Sequence, residues 1–144
     1  MKNINEINIK FPGKSCNEAF ARVAVAAFAA QLDPTLDEMS DIKTAVSEAV
    51  TNCIVHAYRG KIGAVYISAA IAEGGLLRIK VRDTGVGIPD IALAMQPMYT
   101  SAPGDERAGL GFALMQTFMD KIKVRSTPGK GTSVSMEKKI KPRD

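Results

Sequence analysis

One stretch limits the possible folds of this chain more than any other. Met39, Ile42, Ala45, Val46, Ala49, Val50, Cys53, Ile54 and Ala57 recur at intervals of three and four. That period gathers side chains into one stripe along an α-helix. The stripe predicts a long helix with Asp33 as cap and Pro34 at its first position, ending near Tyr58 with Gly60 beyond. So broad an apolar stripe has to be buried against a second layer.

The second layer is read from segments of period two. Ile7, Ile9 and Phe11 alternate with Asn8 and Lys10, predicting a first strand ended by Pro12-Gly13. Residues 65–71 and 76–82 predict two strands joined through Gly74-Gly75, and residues 122–126 and 132–138 predict two more around Pro128-Gly129-Lys130-Gly131. A first helix runs from Ser15, with Glu18 completing a capping box, to about Gln31. Residues 84–108 read as irregular, and a stretch of that length inside a compact domain is usually functional. Residues 109–119 are apolar nearly all round, which predicts a buried helix. The expected fold is an α+β two-layer sandwich: a mixed, largely antiparallel sheet covered on one face by helices.

The bulk properties exclude more than they propose. At 144 residues the chain is expected to form a single domain, residues 1–144. No apolar run reaches the length of a membrane span, and the first residues lack a signal peptide's apolar core, so a cytoplasmic location and no membrane contact are expected. Cys16 and Cys53 lack metal-ligand spacing and read as reduced thiols. The net charge is +4, and its excess sits late, at Lys121, Lys123, Arg125, Lys130, Lys138, Lys139, Lys141 and Arg143. Most of these alternate with apolar residues, as on a solvated sheet face, without the density or interleaved aromatics of a nucleic-acid surface.

The chemistry concentrates in three motifs. Asp83-Thr84-Gly85-Val86-Gly87 ends the third strand. Alternation turns Asp83 toward the core with Leu77, Ile79 and Val81, where a carboxylate is costly without donors. It either caps the following turn or, beside glycines that let a ligand approach, accepts from an adenine amino group. By the same parity Thr132 shares a face with Val134 and Met136, so its hydroxyl can lie beside Asp83. Glu48 and Asn52 stand one turn apart on the long helix. They are either a surface hydrogen-bonded pair or a functional one: an amide oxygen suited to Mg²⁺ and a carboxylate able to take a proton from an attacking hydroxyl. Gly109-Leu110-Gly111 opens the last helix, preceded by Arg107. This is either tight packing or a phosphate site. Gly13-Lys14-Ser15 and Gly129-Lys130-Gly131-Thr132 are not P-loops, since Asn8 and Val124 stand where the first glycine is required. His56 is either structural or catalytic.

Taken together, these residues resemble the GHKL ATP-binding superfamily with its Bergerat fold. Glu48 and Asn52 match its N box, residues 83–87 its first glycine box, residues 109–111 its second, and Gly131-Thr132 the element after it. The sequence is more similar still to the bacterial anti-sigma-factor serine kinases, through residues 47–52 with His56-Ala57-Tyr58, Phe20-Ala21-Arg22 with residues 31–34, and residues 96–100. Within them it looks nearest to the sporulation sigma-F branch, with the general-stress sigma-B branch next.

That resemblance implies a protein serine/threonine kinase using ATP and Mg²⁺, with ADP as product. It implies a protein that inhibits a sigma factor and phosphorylates a Ser of an anti-anti-sigma protein. It also implies a homodimer, without direct nucleic-acid contact. Carried over, Glu48 is the general base, Asn52 the Mg²⁺ ligand and Asp83 the adenine acceptor. Gly85, Gly87, Thr100, Ser101, Arg107, Gly109, Leu110, Gly111 and Thr132 complete the nucleotide site, under a lid of about residues 90–108. Relatives often carry Lys before the lid proline; here Ala102 precedes Pro103. Two other readings are a non-catalytic ATP-sensing anti-sigma module, against which Glu48 argues, and a histidine-kinase catalytic domain. Arg22 is the single charge between Ala19 and Leu32. It is either the solvated edge of a buried helix or a contact to an acidic group on a partner.

Overall fold

The computed structural model describes residues 2–96 and 111–142. Strand β1 (Asn3–Pro12) leads into helix α1 (Ser15–Ala29), a 3₁₀ turn (Ala30–Leu32) and helix α2 (Leu36–Thr51). A π-helical turn, Asn52–Ala57, continues α2. Strands β2 (Ala64–Ala72) and β3 (Leu76–Asp83) follow, then one-turn helix α3 (Ile91–Ala94), helix α4 (Phe112–Phe118), and strands β4 (Lys121–Thr127) and β5 (Gly131–Lys139). The five strands form one sheet in the order β1-β2-β3-β5-β4. All four pairings among the described residues are antiparallel, so the mixed character expected of the sheet has no parallel pair behind it there.

The core lies between the sheet and the helices. Val65, Ile67, Leu77, Ile79, Val81, Val134 and Met136 face Val25, Ile42, Val46, Val50, Phe112 and Met115. Alternation gives each central strand one buried face and one face turned away from the helices.

Several local expectations give way to stronger competitors. Thr35, not Asp33, caps α2. Its hydroxyl accepts from Glu38 N at 3.0 Å while Glu38 Oε1 accepts from Thr35 N at 2.8 Å. Asp33 has Leu36 three residues on and cannot form such a box, and it ends the 3₁₀ turn at φ 52°. Glu18 forms no box with Ser15; Lys14 caps α1 without a side-chain bond, and Glu18 instead accepts from the Ser47 hydroxyl on α2. The stretch read as irregular contains α3, capped by Asp90 Oδ1 accepting from Leu93 N at 3.0 Å. Lys138 leaves the solvated face expected of the late basic residues. It is 9% exposed, donates to Phe118 O at 2.7 Å and lies 3.6 Å from Asp41.

Candidate nucleotide site

The end of β3 and the π-helical turn meet at a cavity of about 120 Å³. Its apolar wall is Ala49, Val81, Ile88, Phe112 and Val134; its polar groups include Asn52, Cys53, His56, Asp83 and Thr132. A small, largely apolar cleft with a few convergent polar groups is the usual form of a ligand site.

Asp83 is 5% exposed. Its Oδ1 accepts from Gly85 N at 2.9 Å and from Thr132 N at 3.2 Å. The second bond exists because Asp83 and Thr132 are cross-strand partners between β3 and β5. Both readings of this carboxylate thus have a physical basis: it caps the turn, and it stands in the wall of the cavity. Burial pushes its pKa up from the ordinary carboxylate value, and the Gly85 N–H, the Cys53 thiol, the Thr132 N–H and the Arg82 charge counter that rise. The Cys53 thiol is pushed well above its usual value, first by burial and then by the neighbouring Asp83 charge.

The Thr132 hydroxyl does not reach across to Asp83. It pairs with Ser126 Oγ at 2.9 Å. Ser126 also accepts from Ile88 N at 2.7 Å and donates to Gly131 O at 3.1 Å, tying the glycine turn to β4 and β5. Ser126 was legible as an inward polar residue, in phase with Ile122 and Val124 on β4.

The glycine turn is closely fitted. Gly87 sits at φ 78°, and a β-carbon there would come within 2.5 Å of Thr127 O. At Gly85 a β-carbon would overlap Ala57 O, the carbonyl that accepts from Val86 N at 3.1 Å. The loop therefore lies against the π-helical turn that carries Asn52 and His56. Tyr58 fixes the junction from below: its hydroxyl donates to Ala64 O at 2.5 Å and accepts from Thr84 N at 2.9 Å.

Asn52 lines the cavity as the first residue of the π-helical turn. Glu48, one turn earlier, lies outside the cavity against the start of α4. There Gly111, at φ 72°, caps α4, and a β-carbon on it would come within 2.9 Å of Glu48 Cδ. The structure thus brings Asn52, Asp83, Gly85, Gly87 and Thr132 together at the cavity, and sets Glu48 and Gly111 against one another outside it. Thr100, Ser101, Arg107, Gly109 and Leu110 lie outside the described residues. Arg22 does not line the cavity; it is half-buried on α1.

Residues 14–138 match the histidine kinase-like ATPase domain family. The chain is 59% identical over 140 residues to a Thermoanaerobacter pseudethanolicus protein named anti-sigma F factor, with 97% of each chain covered. It is 56% identical over 136 residues to the Clostridium acetobutylicum protein of the same name, with 94% of each covered. Among solved structures, the RsbU and RsbW domains of a Mycobacterium tuberculosis protein superpose with a TM-score of 0.70 at 19% identity, covering 96% of this chain and 33% of that one. The catalytic domain of the histidine kinase ThkA gives 0.56 at 17%, covering 94% and 97%. Those two likenesses are of fold.

Proposed function

We infer the function of this chain from its family: it belongs to the histidine kinase-like ATPase domains and, within them, to the anti-sigma F factors. It is an anti-sigma factor built on an ATP-binding kinase-type fold. Beyond that, we propose that it holds a sporulation-type sigma factor inactive and phosphorylates a serine of an anti-anti-sigma protein with Mg-ATP. The proposed setting is the cytoplasm, and the proposed assembly is a homodimer. No helix of the described residues is long and apolar enough to cross a membrane.

The observation that carries the chemical part is Asp83. A carboxylate that is 5% exposed, aligned by two backbone N–H groups at the wall of an apolar cavity, suits the amino group of a purine. The donor set around it fits a nucleotide, with apolar walls for the base and bare glycine backbone beside it. In the proposed mechanism Asp83 accepts from adenine, Thr132 steadies Asp83 through its backbone N–H, and Gly85 and Gly87 allow close approach. Asn52 would hold Mg²⁺ through its amide oxygen, a hard ligand suited to that cation. Mg-ATP supplies the transferable phosphoryl group. Glu48 takes the proton from the attacking serine hydroxyl, a task mere nucleotide sensing would not require. Gly111, with Thr100, Ser101, Arg107, Gly109 and Leu110, is assigned to the phosphates.

Arg22 is proposed as a partner contact. It is half-buried on α1 and is the single charge between Ala19 and Leu32, which suits a contact to an acidic group on a partner.

The test is binding of a purified sigma-F-type factor and of an anti-anti-sigma protein, each measured with Mg-ATP and with Mg-ADP. The sigma factor should be held preferentially with ATP and the antagonist with ADP. Nucleotide-independent binding of both, or binding of neither, would overturn the partner switch. Arg22→Glu should weaken at least one of the two complexes; unchanged affinity for both would remove Arg22 from the interface.

A further inference from the structure

The face of the sheet turned away from the helices carries an ordered pattern of charge. The strand registers line up side chains in rows that cross all five strands. One row reads Lys10, Tyr66, Arg82, Ser133, Arg125; the next reads Asn8, Ser68, Lys80, Ser135, Lys123. Together they hold five cations and no carboxylate. None of the five forms an ion pair among the described residues. The third row, Glu6, Ala70, Arg78, Glu137, Lys121, is balanced, and Arg78 and Glu137 pair at 3.3 Å. The positive charge is therefore concentrated on two rows rather than spread over the face. A groove of about 270 Å³ opens between β1 and β3, with Lys10, Tyr66, Lys80 and Arg82 among its walls.

The spacing suits one kind of occupant. Residues two apart on a strand are about 7 Å apart, and neighbouring strands about 5 Å. An extended polypeptide also repeats its same-face side chains every ~7 Å. A segment lying along the strands with an acidic residue at every second position would meet Arg82 and Lys80 over β3, or Arg125 and Lys123 over β4. The guanidinium groups supply forked donors for carboxylates.

Other occupants fit less well. The ring of Tyr66 is covered by the Arg82 guanidinium at 4.0 Å, with Lys10 at 5.6 Å, so it offers no open platform for a nucleic-acid base. None of the exposed large apolar side chains among the described residues lies on these two rows, so no wedge is available for a bilayer. A second copy meeting this face with its own would set like charges against each other.

We propose that this sheet face docks an extended acidic segment of a protein partner, with Lys10, Lys80, Arg82, Lys123 and Arg125 meeting its carboxylates. It lies on the layer opposite α1. It needs no part of the nucleotide chemistry, so it stands or falls separately from the kinase reading.

The test uses the full chain and a fluorescent synthetic peptide of alternating Glu and Ser, read by anisotropy across a salt series. The double variant Lys80→Ser/Lys123→Ser should bind the peptide about tenfold more weakly or worse. The double variant Lys43→Ser/Lys61→Ser removes the same charge elsewhere and should stay within about twofold. Both should bind Mg-ATP as the parent does, which reports that they fold. Arg82→Gln/Arg125→Gln gives an independent second pair with the same expectation. The proposal is overturned if the parent does not bind the peptide, or if both lysine pairs weaken binding equally. It is also overturned if charge-matched oligothymidylate or phosphatidylserine vesicles bind more tightly than the peptide through the same residues. Sedimentation showing that Lys80→Ser/Lys123→Ser changes the oligomeric state would assign the face to a second copy instead.

Discussion

Glu48 and Gly111 are packed so closely that a β-carbon on residue 111 would come within 2.9 Å of Glu48 Cδ. Gly111 also holds φ 72°, the left-handed conformation that side chains resist. Gly111→Ala should therefore lose roughly 1–2 kcal/mol of stability from the backbone alone. Its larger effect should be on phosphoryl transfer, because the methyl group displaces the Glu48 carboxylate. Urea unfolding and a turnover assay measure the two separately. Full activity in Gly111→Ala would show that the placement of Glu48 against α4 does not matter.

Asp83 should give two pH dependences of opposite sign. Burial raises its folded pKa above the ordinary value, so the folded protein holds this proton more tightly than the unfolded chain does. Its contribution to stability is thus most favourable below the unfolded pKa and declines as pH rises through the folded one. Adenine needs the ionised acceptor, so nucleotide affinity should instead fall as pH drops through the same window. Asp83→Asn keeps an Oδ1 able to accept from Gly85 and Thr132 N–H. It should leave thermal stability near neutral pH unchanged or higher, and weaken ATP binding about tenfold, ~1.4 kcal/mol. Calorimetry and a thermal melt across pH check both. Unimpaired ATP binding by Asp83→Asn would remove the residue from base recognition.

The two cysteines should react very differently. Cys16 is exposed, while Cys53 is 3% exposed and its thiol is pushed well above its usual pKa by burial and by Asp83. A maleimide should label Cys16 in the native protein and reach Cys53 only after unfolding. Peptide mapping by mass spectrometry locates the label. Rapid native labelling of Cys53 would contradict the closed packing between the π-helical turn and Asp83.

Much of the arrangement was legible because strand parity is a strict rule. Counting alternate residues along two strands was enough to put Asp83 and Thr132 on the core face, and the sheet makes them partners. The apolar stripe gave α2 its length, but intervals of three and four do not distinguish an α-helix from one that widens. The π-helical turn at Asn52–Ala57 therefore carries the same sequence signature as an ordinary helix to Tyr58. Caps are ambiguous where two candidates compete: Asp33-Pro34 and Thr35 with Glu38 both offer a start, and only the second forms a complete capping box. Glu18 and Lys138 depart from their expected places because their partners, Ser47 and Asp41, come from elements distant in sequence. Only packing reveals such pairs.

The kinase reading turns on Glu48, and phosphoryl transfer by Glu48→Gln tests it most directly. The parent protein and the variant would be incubated with γ-labelled Mg-ATP and the organism's anti-anti-sigma protein, with ATP affinity measured alongside. The account predicts phosphoserine on the antagonist with the parent, and transfer reduced by about 10²-fold or more in the variant at near-normal ATP affinity. Transfer by Glu48→Gln at the parent rate would contradict the assignment of the base. Absence of transfer by the parent itself would contradict the kinase and leave an ATP-responsive anti-sigma factor.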